Sequence, residues 1–510
     1  MKNKSTNKII GDSFIFTTTT ILMKVAGIFR GLLISYFLKP NQYGILNGLY
    51  LIPHYGSSSD LGVAAGMGRF LPHHLGKNDK TKAEKVIYTT FNFMLIAAGT
   101  VTIMILAWCF FNQKNVPKEI LFGVIAFSLI SFILNLRKYF FVFFRSYHNF
   151  TFLSQENILD SALGLILVVL LVYKFNLYGA YISLLLTSFA CTYFLFKRSG
   201  FRLKWVWDKP EFKELIKLGM PLLLLGFLDL VLTSIDRIFI LKFYNTTLLG
   251  YYAIGASIKT NLITIPFSLS TVFIPKLFQA KKDDYESLVR FFSKPITAIT
   301  IIVIVTAGCI YAMLPIVYYG ILIKYSSGID AGRVLLISLV FVSIPILANN
   351  IFIAVGKLKL LFIIEMASLI FGSLLSLVSI RLNMGILGIA YATLAMSALN
   401  AVLLLYFAAK SIYKKTKERF SFLITLFTVV CFGVLVMKLS EAVGSYLFSN
   451  HYSGLWLSSF ASLITFIIPM LVMLVCLEKR LGVFLLIKDY LGRNKAPGLN
   501  EVQVSDIDSC

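Results

Sequence analysis

Apolar residues run in long blocks along the whole chain, and short polar or basic clusters separate the blocks. A helix needs about 20 predominantly apolar residues to cross the hydrocarbon of a bilayer, and many blocks reach that length. Within them apolar and polar positions do not alternate, and Gly and Pro recur inside, which favours helices over the strands of a barrel. The pattern predicts about fourteen transmembrane helices, over residues 12–38, 44–71, 87–111, 119–146, 150–173, 177–196, 214–243, 248–275, 291–320, 331–355, 358–380, 385–409, 420–447 and 454–477. The expected fold class is an all-α polytopic membrane protein.

The blocks also repeat. Tyr43-Gly44 follows the first block, and Gly250-Tyr251 follows the seventh. Asn176-Leu177-Tyr178-Gly179 opens the sixth, and Ile386-Leu387-Gly388 opens the twelfth at nearly the same spacing. From either glycine the following positions stay apolar or small and end on Ser188 or Ser397. Two landmarks with nearly one offset predict two pseudo-symmetric six-helix bundles followed by two extra helices. In a membrane protein such symmetry points to a transporter with its site between the halves. The expected divisions are an N-terminal bundle at 1–197, a cytoplasmic basic linker at 198–213 and a C-terminal bundle at 214–410. Two extra transmembrane helices follow at 411–478, then a cytoplasmic tail at 479–510. Glu211 to Lys217 reads as an amphipathic lead-in to the seventh helix, Leu481 to Leu491 as a segment along the membrane surface, and 494–510 as disordered.

Composition agrees. The 510 residues are 58% hydrophobic and only 14% charged, where a soluble domain carries about a quarter charged residues. Lipid is therefore the solvent. The net charge of +24 is gathered on alternate connections, in Lys77 to Lys85, Lys197 to Lys213, Lys276 to Arg290, Lys410 to Arg419 and Lys479-Arg480. The intervening connections hold one or two basic residues each, such as Lys39, Lys114, Lys118 and Arg381. The positive-inside rule places both termini and the basic loops in the cytoplasm. The basic clusters suit anionic lipid head groups. They do not form a separate domain able to dock nucleic acid. Five of the six cysteines lie in apolar spans and none forms a CxxC pair, so they read as small core residues. His73-His74 near Asp79 reads as a solvated loop rather than a metal site. No phosphate-binding lysine loop, His-Glu-x-x-His or nucleophile elbow occurs, so no cofactor, no metal and no enzymatic centre is expected.

Charges inside spans cost about 2.5–3.5 kcal/mol each on the mild insertion scale and need a reason. Lys24 lies about twelve residues into the first helix, roughly 18 Å deep. It reads as part of a cationic cavity wall, or as a partner for Asp229 or Asp236. Arg30 is within snorkelling reach of the outer end, and Lys259 belongs to the polar run Ala256 to Asn261. These three are the candidate substrate-binding residues. Asp229 sits in the apolar stretch Leu222 to Leu232 without an adjacent base. Its charge state depends on its surroundings, which makes it the candidate for coupling to a proton or Na⁺. Asp60, which follows three serines, and the adjacent pair Asp236-Arg237 are candidates for structural or gating roles. Arg137, Lys138, Arg145, Glu156 and Asp160 cluster near the turn between the fourth and fifth helices and read as salt bridges. Glu365 is a further charge in the eleventh helix.

Several motifs carry a family resemblance. Leu38-Lys-Pro-Asn-Gln-Tyr-Gly-Ile-Leu-Asn47 resembles the pattern LGPxxYGxxN of polysaccharide exporters. Ser59-Asp-Leu-Gly62 with Arg69, Gly219-Met-Pro221 with Ile235-Asp-Arg237, and Gly250-Tyr-Tyr-Ala253 resemble further motifs of the same group. The chain thus resembles the Wzx-type oligosaccharide flippases of the multidrug/oligosaccharidyl-lipid/polysaccharide exporter (MOP) superfamily, although many relatives carry no charge at the position of Lys24. The resemblance implies a flippase for an undecaprenyl-diphosphate-linked oligosaccharide in a bacterial inner membrane, with membrane lipids and polysaccharide polymerase machinery as partners. Lipid II flippases and multidrug exporters share the motifs and remain alternatives. A drug exporter would prefer an acidic cavity, whereas Lys24, Arg30 and Lys259 favour an anion. A membrane glycosyltransferase is the alternative from another class. It is disfavoured because no outer loop is long.

Overall fold

The computed structural model describes residues 2–270, 285–354, 357–447 and 452–481. The basic-loop residues Lys276, Lys281 and Lys282, the expected surface segment after Leu481 and the 494–510 tail lie outside them. In chain order the α-helices are α1 (Lys2–Phe37), α2 (Pro40–Leu49), α3 (Leu51–Gly56), α4 (Val63–Gly76), α5 (Lys80–Asn112), α6 (Lys118–Ser146), α7 (Phe150–Leu167), α8 (Tyr173–Ser199), α9 (Lys209–Leu232), α10 (Ile235–Phe243) and α11 (Thr246–Leu262). There follow α12 (Tyr285–Pro315), α13 (Ile329–Ser343), α14 (Pro345–Ala354), α15 (Leu358–Arg381), α16 (Gly385–Ile412), α17 (Thr416–Leu447) and α18 (Tyr452–Leu481). Among the described residues there is no strand, and eleven helical runs are long and apolar enough to cross a membrane.

Eleven runs stand against fourteen predicted helices because Phe150–Ser199 holds two of them, 44–71 is broken, and of 248–275 α11 ends at Leu262 while 271–275 lie outside the described residues. The predicted helix 44–71 is divided into α2, α3 and α4. The Ser57 hydroxyl donates to the His54 carbonyl (2.7 Å), a local bond that competes with helix. Leu61 and Gly62 then take positive φ values of 47° and 80°, and the Asp60 carboxylate caps α4 by accepting from Gly62 N (3.4 Å) and Ala64 N (3.3 Å). The predicted helix 214–243 breaks at Thr233-Ser234, and 331–355 breaks before Pro345, which has no N–H to donate. The boundary predicted between 150–173 and 177–196 falls at Asn176, whose φ of 49° and ψ of −123° are not helical. After the π-helical turn at Val168–Val172 the chain folds back there, so that α8 packs on α7 and a Cβ on Gly179 would overlap the Leu171 carbonyl.

The landmark glycines meet each other. α2 lies along α11, and a Cβ built on Gly44 would overlap the Thr246 carbonyl while one on Gly250 would overlap the Pro40 carbonyl. The first and second halves therefore join here by backbone against backbone, on the sparsely charged face. Tyr325, fully buried, reinforces the seam. Its hydroxyl donates to the Leu38 carbonyl (3.1 Å) and its ring meets Tyr43 and Tyr251 edge-on. Toward the basic face α4 packs on α9, where Gly62 faces Gly219 and Gly66 faces the Leu215 carbonyl. α17 and α18 pack on each other and on α12. Glu441 of α17 ties them down, accepting from Arg333 (2.9 Å), Lys438 (3.1 Å) and the Tyr311 hydroxyl.

The linker before α9 is strapped to the first half. Buried Asn92 of α5 donates to the carbonyls of Lys204 (3.1 Å) and Val206 (2.9 Å), and Phe201 wedges among Phe91, Tyr139 and Phe140. Lys85 lies 2.9 Å from Asp208 and holds that carboxyl below its usual range. A carboxyl so depressed stabilises the strap above its unfolded pKa and loses that contribution as pH falls through the lower folded value. Asn92→Ala should cost about 2 kcal/mol by orphaning two carbonyls. The check is limited trypsin digestion, in which cleavage after Arg202 and Lys204 should accelerate.

Candidate functional site

Two large cavities open inside the bundle, one in each half. The first, of about 450 Å³, is lined from α1, α3, α6, α7 and α8 and includes Arg30, Arg137, Lys138, Asp160, Tyr50 and Ser188. The second, of about 580 Å³, is lined chiefly from α9, α10, α11, α14, α15 and α16 and includes Asp229, Asp236, Arg237, Lys259, Glu365 and Ser397. The repeat-end serines Ser188 and Ser397 thus occupy sister cavities.

The first cavity is built on ion pairs. Arg137 of α6 binds Glu156 and lies 3.4 Å from Asp160, both on α7. Arg30 of α1 reaches the other oxygen of Asp160 at 3.8 Å, and the Cys191 thiol lies 3.9 Å from that carboxylate. Lys138 lies 3.0 Å from Asp60 and also donates to the Ser57 carbonyl (3.0 Å). Asp60 is fully buried behind Lys138 and lines neither cavity, serving as helix cap and counter-ion. Lys24 shares the electrostatic surroundings of this group, with Asp160, Arg137 and Arg30 as its charged neighbours.

The second cavity is different. Asp236 accepts from the Tyr252 hydroxyl (2.6 Å) and from the Arg237 N–H (2.7 Å), and Arg237 Nη2 donates to the Thr233 carbonyl (3.0 Å). Asp229 opens onto the cavity and Glu365 is buried in its wall. Glu365 has Asp229 as its charged neighbour, and among the described residues neither makes an ion pair within 4.0 Å. Among the described residues Glu365 Oε2 and Asn349 Oδ1 are buried without hydrogen-bond partners, and so is Nε2 of His54, which reaches in from the first half. Among the described residues no three His, Cys, Asp or Glu side chains are placed to hold a metal ion.

The candidate residues therefore separate. Lys24 and Arg30 gather with Asp160 in the first half, while Lys259, Asp229, Asp236 and Arg237 gather in the second. The first cavity carries three cations and one carboxylate on its wall, and suits an anion. The second carries three carboxylates against Arg237, Lys259 and His54, and suits a small cation. Arg137 and Lys138 pair as the sequence suggests and also form cavity wall, a second role that their place near the turn between the fourth and fifth helices did not reveal. Glu365 was visible as a charge in a span, but its approach to Asp229 was not.

The family model described as "Polysaccharide biosynthesis protein" matches residues 33–322. No curated protein matches the sequence. Among solved structures, a lipid II flippase, MurJ, in an inward closed conformation is 15% identical over 92% of this chain and 99% of its own, with a TM-score of 0.71. An inward-facing multidrug resistance MATE family transporter of the MOP superfamily is 16% identical over 76% of this chain and 94% of its own, with a TM-score of 0.62. A MOP superfamily transporter from Pyrococcus furiosus, described by the reverse polarity of its binding pocket, is 16% identical over 79% and 94%, with a TM-score of 0.51. At these identities the likeness is one of fold.

Proposed function

Because the chain belongs to the polysaccharide biosynthesis protein family, we propose that it is a flippase for an undecaprenyl-diphosphate-linked oligosaccharide repeat unit. In this reading it moves the unit from the cytoplasmic to the outer leaflet of a bacterial inner membrane, for assembly of O-antigen, capsule or exopolysaccharide. The observation that carries the reading is a cationic cavity enclosed in a bundle of membrane-spanning helices. A diphosphate and a glycan cannot cross about 30 Å of hydrocarbon unaided. Cations fixed in the cavity replace water around the diphosphate, while the polyprenyl tail stays in lipid. Rocking of the halves about the α2–α11 seam exposes the cavity to alternate sides. Asp229, with Glu365, couples the motion to a proton or Na⁺ gradient, and polysaccharide polymerase machinery consumes the product.

Deleting the protein in its own host tests the reading. A polyprenyl-diphosphate oligosaccharide should accumulate on the cytoplasmic side. If the deletion instead sensitises cells to cationic dyes and no intermediate accumulates, the acidic second cavity makes a drug exporter the better account. Orientation has its own check. With both termini cytoplasmic, an impermeant thiol reagent applied to intact cells should label Ser449→Cys and spare Ser199→Cys, each in a cysteine-free background. The opposite labelling would invert the topology.

A further inference from the structure

The second cavity takes its wall almost wholly from the second half. Among the described residues His54 is its one lining residue from the first half. It stands on α3, which the first half holds in place. Asn135 of α6 donates to the Gly56 carbonyl (3.1 Å), and Lys138 donates to the Ser57 carbonyl (3.0 Å). The next residue, Tyr55, has its hydroxyl 2.6 Å from the Ser234 hydroxyl and its ring edge-on to Phe227. α3 is thus a finger of one half inserted into the other, and rocking of the halves moves His54 relative to the second cavity.

The surroundings of the ring suit its neutral form. Its charged neighbour is the Arg237 guanidinium. Among the described residues Nε2 of His54 and Nε of Arg237 are both buried without hydrogen-bond partners. A neutral imidazole can offer a lone pair toward such a donor, whereas an imidazolium adds a second unpartnered donor and a second positive charge. The Leu230 carbonyl beside the ring already accepts from the Thr233 (3.1 Å) and Ser234 (2.6 Å) hydroxyls. Asp236 is engaged by the Tyr252 hydroxyl and the Arg237 N–H. The other charges on the wall are Asp229 of α9, Lys259 of α11 and Glu365 of α15. On the far side of α3, Arg137 and Lys138 of α6 are already paired with Glu156, Asp160 and Asp60. Burying an uncompensated charge is costly, so a proton on His54 works against the seated finger.

We propose that His54 is a proton-operated wedge between the halves: uncharged, it lets α3 seat in the second cavity, and protonated, it drives α3 out. The proposal rests on the rocking motion of the flippase reading and deepens it by naming the residue on the moving contact that takes a proton. Water supplies the proton to the imidazole lone pair while the finger is withdrawn, and receives it back before the finger seats again. An imidazole in open surroundings has a pKa of about 6.5. Seating is therefore favoured above that pH and is lost as pH falls below it. Between about pH 8 and about pH 5.5 the ratio of seated to withdrawn molecules should fall about tenfold.

The test is double electron–electron resonance on the full-length protein in lipid nanodiscs, at the higher and the lower pH. Spin labels are placed in a cysteine-free background on exposed positions of the two halves, at Gln113 and Leu382 on the sparsely charged side and at Lys77 and Lys410 on the basic side. In wild type the lower pH should move molecules from the shorter to the longer distance of one pair, with the tenfold change in ratio. His54→Gln should keep the high-pH distribution at both values. His54→Arg, which cannot lose its charge, should show the low-pH distribution at both. A misfolded protein cannot show these two opposite, fixed distributions. A wild type whose distances ignore pH, a His54→Gln variant that still responds, or a His54→Arg variant fixed in the high-pH distribution overturns the wedge. Each of those results leaves the flippase reading standing, because that reading fails separately, when deletion of the protein accumulates no lipid-linked intermediate.

Discussion

Gly44→Val slows export tenfold or more while the protein still inserts in the membrane. The halves join along α2 and α11 with a backbone carbonyl where the new side chain would stand. A carbonyl oxygen in a helix cannot rotate away as a flexible side chain would, so α2 must separate from α11. Overpacking of this kind costs about 1–3 kcal/mol, occasionally more, and every 1.4 kcal/mol is roughly a factor of ten in an equilibrium. A cycle that passes through the closed seam then slows by tenfold or more. Gly250→Val strikes the equivalent contact and should act alike. Gly76→Ala meets no atom within 4 Å and should leave export intact. Export can be followed as surface polysaccharide against protein abundance on immunoblots. Normal export in Gly44→Val would mean that the seam need not close.

In proteoliposomes an imposed gradient accelerates the wild type and leaves Asp229→Asn unresponsive. Asp229 shares its cavity with Glu365, and neither has an ion-pair partner among the described residues. Two nearby carboxylates repel unless a proton or cation comes between them. Occupancy of that place depends on which side the cavity faces, and this ties ion passage to rocking. Glu365→Gln should blunt the same response. If wild-type transport ignores both proton and Na⁺ gradients, coupling at Asp229 is wrong and downstream consumption of the glycan drives the flux.

Much of this architecture is legible in the sequence, because membrane spans and repeats are written locally. The glycines at 44 and 250 that mark the repeat also touch across the halves, and Ser188 and Ser397 sit in sister cavities. The charges inside spans identify most of the polar wall. What the sequence hides is partnership. Lys24, Arg30 and Lys259 read as one cationic group because depth along a helix can be counted, whereas the direction of a side chain depends on its neighbours. Asp160 draws Arg30 to the first half, and Lys259 faces the second cavity. Helix breaks are hidden similarly. The apolar count from Gly44 to Leu71 suffices for a span, but Ser57 to Gly62 offers the backbone local hydrogen bonds and a left-handed residue. The linker strap depends on Asn92, whose buried amide serves carbonyls more than a hundred residues away in sequence.

This chain is expected to carry a diphosphate-linked glycan across a bilayer through a cationic interior. The most direct measurement uses purified protein in liposomes that contain a polyprenyl-diphosphate oligosaccharide in both leaflets. The outer glycan is first oxidised with an impermeant reagent, and later arrival of inner-leaflet glycan at the surface is timed. Wild type should deliver the protected half. The triple variant Lys24→Gln, Arg30→Gln, Lys259→Gln, reconstituted at equal abundance, should deliver glycan no faster than protein-free liposomes. Full delivery by the triple variant would contradict the account.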